Sequence, residues 1–374
     1  MRISATYLCP VRGLTLLEPP EPLTLLKAAG TAKALGVEAL LLPVLEESLL
    51  GPSRSRVRVL DGLVMALDRA SEAGISSRLI APASRVLGLD WAPPYLLKGS
   101  KDPAARPVFV DGELRHLRPL DWWRDPPLIQ KRIATFRELV SAVSGHPGLQ
   151  GWVLLDRSFE WVRPEADAAE FILRSFLAEI RERDETATTD LGLGWSDLLA
   201  PEPALRLAGL VDGLFLSGIE KGLPGLSSFS RLDQEVILAS CLGAMAQWLF
   251  GKSVDVEIGW GLLHEPGDPE EIMENLGHLV SQGVSGVHWL SLADPQPGLR
   301  REPPWGLSAG SEKAGLLDQY LEPKEGAEAW IKTLRSTART RAGFDFIDVD
   351  REEYISDPQL HLPRLWENYR ESRS

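Results

Sequence analysis

Cysteine is nearly absent from this chain: Cys9 and Cys241 are the two it has. Two thiols so far apart make no metal motif and no disulfide framework, and the plain reading is a pair of reduced, buried side chains. Long apolar runs are also missing. No stretch approaches the roughly 18 apolar residues of a membrane-spanning helix. Positive charge is in deficit, with 40 Lys and Arg against 53 Asp and Glu, a net charge of −13 and a pI near 5.1. That balance argues against a nucleic-acid backbone or an anionic membrane as the main partner. The opening "MRISATYLCPVRG" holds too short an apolar patch for a secretory leader, so the chain as given is expected in the cytoplasm. No Gly-rich phosphate loop follows the first apolar run, where "CPVRGLTLLEPPEP" stands instead, and this counts against a doubly wound dinucleotide fold. "GLGWSDLL" contains no nucleophile elbow, and no cofactor motif is present.

What the chain does have is alternation. Short apolar runs at 2–10, 37–44, 76–83, 149–156, 188–196, 211–218, 254–261 and 284–294 read as strands. Amphipathic segments of helical spacing separate most of them, several ending in Gly as helix C-termini favour. Strands alternating with helices imply βαβ units and a parallel sheet, and eight such units predict a (β/α)8 TIM barrel over residues 1–342. Residues 84–127 depart from the repeat as a Pro- and Trp-rich insertion after the third strand. Within it "PVFVDGELRHL" reads as a hairpin around Asp111-Gly112. Its length predicts a place over the cleft. Residues 343–374 read as an acidic, irregular tail packed on the outside.

A barrel of this kind places its chemistry at the C-terminal ends of the strands and in the loops just after them. Those positions are rich in carboxylates and tryptophan. Strand four ends at Asp156 and Arg157, with Glu160 and Trp161 close behind; strand five ends at Trp195 and Asp197. Strand seven carries Glu257 and Trp260, and strand eight carries His288 and Trp289. Of the 12 tryptophans, Trp91, Trp122, Trp123, Trp161, Trp195, Trp260, Trp289 and Trp305 fall near strand ends or in the following loops. A Trp face is broad and apolar with a polar edge, which suits the C–H face of a sugar ring. Glycoside hydrolysis needs one carboxyl to protonate the leaving oxygen and a second to attack or to activate water. Strands four and seven stand nearly opposite in an eight-strand ring, so their carboxylates can face each other. His264 and Glu265 with His288 match no standard metal-ligand spacing, and no metal is expected.

Three segments carry a resemblance. "SGHPGLQGWVLLD" (144–156), "GKSVDVEIGWG" (251–261) and "GVSGVHWLSLAD" (283–294) resemble the strand-four, strand-seven and strand-eight motifs of the retaining TIM-barrel glycoside hydrolases of the cellulase and mannanase type. The resemblance implies a nucleophile at Glu257, a sugar-stacking role for Trp289 and a β-linked oligo- or polysaccharide as substrate. It departs in two places. The family's Asn-Glu pair falls on Asp156 and Arg157, and the Arg it often carries on strand two falls on Leu41. Asp156 or Glu160 would then have to serve as acid/base. A one-residue shift along a strand turns the side chain to the other face, so Asp156 needs a bulge to re-aim it.

Three readings follow. One is a glycoside hydrolase with Glu257 as nucleophile, Asp156 or Glu160 as acid/base, and Trp289, Trp260, Trp195, Trp161, His288 and Arg157 around the sugar. Another is a non-hydrolytic, carbohydrate-binding or scaffold descendant of the same fold. A third option is an enzyme for an anionic ligand held by Arg12, Arg85 and Arg157. Oligomeric state is not legible.

Overall fold

The computed structural model describes residues 1–11, 22–49, 53–99, 105–218, 231–263, 268–307, 311–338 and 343–373. Eight parallel strands close a barrel: β1 (Arg2–Thr6), β2 (Ala39–Leu45), β3 (Ser76–Ala83), β4 (Leu149–Leu154), β5 (Thr188–Gly194), β6 (Gly213–Ser217), β7 (Ser253–Ile258) and β8 (Gly286–Trp289). Each pairs with its neighbours in sequence, and β8 pairs back onto β1 with Ser4 beside His288. This is the (β/α)8 barrel expected from the alternation of runs. Most of the helices form an outer layer: α1 (Pro22–Leu35), α2 (Ser53–Glu72), α3 (Pro126–Val143), α4 (Ala166–Arg183), α5 (Ala204–Ala208), α6 (Leu232–Phe250), α7 (Pro269–Ser281) and α8 (Ala327–Ser336). None of the described helices is long and apolar enough to cross a membrane.

Local chemistry sets the helix starts. Asp125 accepts from the Leu128 amide at 3.1 Å ahead of Pro126, and Asp268 accepts from the Glu270 amide at 2.8 Å ahead of Pro269. Both follow the rule of an acidic cap followed by proline in the first turn. Aromatic side chains then fasten helix to helix and helix to strand. Phe136 of α3 stacks on Phe176 of α4 with ring centres 4.1 Å apart, and Trp152 of β4 meets Phe136 edge-on.

The barrel interior is polar in layers. At the N-terminal end, Arg78 of β3 is fully buried, pairing with Asp190 of β5 and, at 3.1 Å, with Asp255 of β7; Arg2 reaches Asp255 at 3.0 Å. A Cβ at Gly286 would stand 2.5 Å from the Asp255 carboxylate and one at Gly213 2.7 Å from that of Asp190, so glycine there makes room for the ion pairs. One layer up, His288 sits between Ser4 and Thr6 at 3.0 and 2.7 Å, with Phe215 edge-on. Burial and the nearby Arg78 cation push His288 down to about 3, so it is neutral at ordinary pH.

The insertion after β3 forms a five-stranded sheet from the pieces 85–86, 89–91, 97–99, 106–110 and 113–119. The hairpin around Asp111-Gly112 is present, with Val110 opposite Glu113 and both turn residues at positive φ. The tail differs from its expected irregularity. It holds two helices, α9 (Arg351–Ser356) and α10 (Pro358–Glu371), capped by Asp350 and Asp357, whose carboxylates accept from Glu353 N and Leu360 N. Two of the acidic residues that make the segment look irregular in sequence are these caps. Tyr369 of α10 donates to Ser240 of α6 at 2.8 Å, and Tyr354 of α9 donates to the Leu198 carbonyl at 2.8 Å.

Candidate active site

Glu257 is the inward-facing residue nearest the C-terminal end of β7, two residues above Asp255 on the same face. It is 8% exposed and lines a cavity at the barrel mouth. Its Oε1 accepts from the Gly218 amide at 3.1 Å and from the Trp260 indole N–H at 3.0 Å. The turn that carries Trp260 is held from behind by Glu235 of α6. That carboxylate accepts from the amides of Gly259, Trp260 and Gly261 at 3.1, 3.1 and 2.7 Å. Burial pushes the Glu235 carboxyl up to about 8, against the pull of these three donors.

Asp156 lines the same cavity. Strand β4 stops at Leu154, and Asp156 stands between two left-handed residues, Leu155 at φ 56° and Arg157 at φ 49°. Such conformations cost a non-glycine residue on the order of 1–3 kcal/mol each and concentrate at functional sites. Here they take the chain off the alternation of the strand, which leaves Asp156 facing the mouth. Burial pushes the Asp156 carboxyl up to about 6, opposed by the Arg157 cation. The Ser217 hydroxyl lies 3.3 Å from its Oδ1.

Glu160 has a different setting. Its carboxylate takes Arg85 at 2.8 Å, Arg157 at 2.9 Å and the Ser196 hydroxyl at 3.2 Å. It is not among the residues lining the mouth cavity, which instead include the two arginines that hold it. Arg157 also presses on Gly218, where any Cβ would overlap the guanidinium. Arg85 and Arg157, offered by the sequence to an anionic ligand, thus converge on a carboxylate of the chain itself. Nearby, Asp197 caps the turn after β5 by accepting from Gly194 N at 2.9 Å, and burial pushes it up to about 7.

The tryptophans separate into groups. Trp260 lines the mouth cavity beside Glu257. Trp161 lines a second, smaller cavity with Trp91, Trp122 and the buried Glu46–Arg132 pair, and lies under the Arg106 guanidinium at 4.7 Å. Trp289 is a correction to the sugar-stacking role. It is fully buried and stacked on Trp330 of α8, ring centres 5.5 Å apart. In β8 the inward position belongs to His288, so its neighbour faces the helix layer. Trp195 is also buried, at 1% exposure, and neither it nor His288 lines the mouth cavity. His288 lies one layer beneath, bonded to Thr6, which does line it. Arg12, His264 and Glu265 lie outside the described residues. Among the described residues, no group of three or more His, Cys, Asp or Glu is placed to hold a metal ion.

Sequence reasoning missed Ser217, Glu235 and the placement of Arg85. Glu235 carried a signal, an acid facing the core in the otherwise apolar "EVILASCLGAMAQWLF". Ser217 and Arg85 carried none.

No family model and no curated protein sequence matches the chain. Solved structures do. GH5_18 from Streptomyces cattleya in complex with GlcNAc superposes with a TM-score of 0.69 at 15% identity, over 91% of this chain and 82% of that one. A GH5_18 from Bifidobacterium longum subsp. infantis gives 0.67 at 14% identity, over 92% and 80%. The chain has the fold of the GH5 glycoside hydrolases. An exo-beta-1,4-mannosidase from Opitutaceae bacterium strain TAV5 shares it as well, with a TM-score of 0.66 at 16% identity, over 90% of this chain and 59% of that one.

Proposed function

We propose that the protein is a glycoside hydrolase acting on a β-linked saccharide, with Glu257 as nucleophile and Asp156 as proton donor. The observation that carries this reading is the pairing of two carboxyl groups in one mouth cavity, each in a different environment. Glu257 accepts two N–H bonds, which favour the ionised form a nucleophile needs. Asp156 is buried and pushed up to about 6, which suits an acid that must hold its proton. Glu160, engaged by two guanidiniums, is an anchor rather than a donor. In the first step Glu257 attacks the anomeric carbon, the glycosidic C–O bond breaks, and the Asp156 proton passes to the leaving oxygen. In the second, water attacks the glycosyl–enzyme bond and returns a proton to Asp156. Configuration at the anomeric carbon is retained. Neighbours of the same fold are bound to Manβ1-4GlcNAc or named as a β-1,4-mannosidase, which supports β-mannosides as the first substrates to try.

The mouth is narrow. Its cavity is about 30 Å³, room for one or two waters, where small-molecule pockets run from roughly 300 Å³. Arg85, Val86, Leu87 and Gly88, the first hairpin of the insertion, form one wall. Among the described residues, this hairpin is what a saccharide approaching Glu257 and Asp156 meets from that side. The small size of this cavity among the described residues is the observation that favours the second reading, a non-hydrolytic descendant.

The test is hydrolysis of aryl β-glycosides, the mannoside first, by the wild-type chain and by Glu257→Gln and Asp156→Asn. The proposal expects turnover in the wild type and none in Glu257→Gln. Asp156→Asn should keep turnover only on substrates with good leaving groups. Full activity of Glu257→Gln would overturn it. Saccharide binding without turnover in the wild type would establish the second reading.

A further inference from the structure

We infer that Glu235 is a positioning residue that holds Glu257 in its working state through the Trp260 indole; the inference rests on the role proposed for Glu257. Glu235 lies in the first turn of α6 and is fully buried. Its two oxygens take three consecutive backbone N–H groups, those of Gly259, Trp260 and Gly261, at 2.7–3.1 Å. Consecutive amides aimed at one point form an anion-binding concavity, and here a side chain of the protein fills it. In either protonation state an oxygen faces each N–H.

The turn could be held for its own sake, as a way of ending β7. Its side chains argue for more. Gly259 and Gly261 have none, so the side chain fixed by this clamp is that of Trp260. Its indole N–H donates to Glu257 Oε1 at 3.0 Å. The clamp is also tight on its far side: a Cβ at Gly261 would overlap the backbone of Leu232, the first residue of α6. Helix α6, the clamped turn and the indole thus form one continuous support ending at the carboxylate that lines the mouth. An N–H donor to a carboxylate stabilises its ionised form, and losing one raises its pKa. Glu235 therefore acts on Glu257 without touching the cavity. The two carboxyls also repel as like charges, but Glu235, raised to about 8 by burial and by the Glu257 charge, holds its proton while Glu257 titrates, so its replacement by Gln removes no charge from that titration.

The experiment is the carbon-13 NMR titration of the Glu257 side-chain carboxyl, a readout that needs no turnover. In Trp260→Phe the donor is gone, and the midpoint should rise by about one pH unit, a tenfold change in its proton affinity. Glu235→Gln puts an amide N–H against a backbone donor and loosens the turn. It should raise the midpoint in the same direction, and the double variant should go no further than Trp260→Phe alone. Glu235→Asp, which withdraws the carboxylate by one methylene, should give a smaller rise. A Glu257 midpoint unchanged in folded Glu235→Gln and Glu235→Asp, with only thermal stability lost, would overturn the inference. Should neither variant fold, the wild type decides by hydrogen exchange. The Trp260 indole N–H must exchange with the same protection as the three amides, and exchange tenfold or more faster would overturn it. With an active wild type, Glu235→Gln should lower kcat and leave KM within about twofold. With a wild type inactive on every glycoside, the hydrolase reading fails alone, and the titration still tests the support.

Discussion

Asp156→Asn is expected to cost activity and to stabilise the fold, and the second effect has a defined pH dependence. The carboxyl is buried and its pKa is raised from 3.8 to about 6. Below 3.8 it is neutral in both folded and unfolded chains and contributes nothing to the pH dependence. As pH rises toward 6, the unfolded chain loses the proton first, so the folded state falls behind by about 1.4 kcal/mol per pH unit. Above 6 the loss is complete, on the order of 3 kcal/mol. Asparagine never ionises and escapes this loss. Other buried carboxyls with raised values, Asp197, Glu235, Asp255 and Asp294 among them, are present in both proteins and largely cancel in the difference. Urea unfolding of both chains from pH 4 to 8 measures it. The stability of the variant relative to wild type should climb between pH 4 and 6 and then level off. For a chain of 374 residues the plateau corresponds to about 4 °C in Tm. Hydrolysis should fall by about 10²- to 10⁴-fold in the same variant, the usual contribution of a proton donor. A stability difference that is flat with pH, or that shrinks toward alkaline pH, would refute the argument that Asp156 is buried and ionises at a cost.

The wild-type pH–rate profile should lose activity above about pH 6, as Asp156 gives up the proton it has to donate, and a basic limb near 4 would contradict the assignment. Trp289→Ala should cost about 3–5 kcal/mol in urea unfolding because it leaves a cavity against Trp330, while Trp289→Phe should leave KM for a saccharide unchanged. A raised KM in Trp289→Phe would restore the stacking role. Arg85→Ala, which cuts the insertion hairpin from Glu160, should open the mouth and lower KM at least severalfold, read by initial rates; an unchanged KM would show that the hairpin does not limit entry. Arg78→Met should destabilise by about 3–5 kcal/mol because Asp190 and Asp255 lose their buried partner, again measured by urea unfolding.

Much of the architecture was legible because it rests on local pattern. Strand runs alternate with amphipathic segments, and that alternation leads to a parallel sheet and, at eight units, to a closed barrel. The position of Glu257 was legible for the same reason. A carboxylate breaking an apolar run at a strand end, followed by Gly259, Trp260 and Gly261, has a narrow set of explanations. The two helices of the tail were not legible in its acidic, irregular-looking sequence, where Asp350 and Asp357 act as helix caps.

What only the tertiary structure decided is which way particular side chains face and what meets them. His288 and Trp289 are adjacent, and period two puts one inside the barrel and the other against α8, but sequence alone does not say which. Closure of β8 onto β1, with Ser4 beside His288, settles it. Asp156 depends on two backbone angles, at Leu155 and Arg157, that belong to ordinary residues and leave no trace in the letters. Glu160, an equal candidate by sequence, is withdrawn by arginines at positions 85 and 157, one of them far away along the chain. Side-chain periodicity is a local property of the backbone. The pairing of charges across a barrel mouth is not, because it forms only when distant strand ends are brought to the same rim.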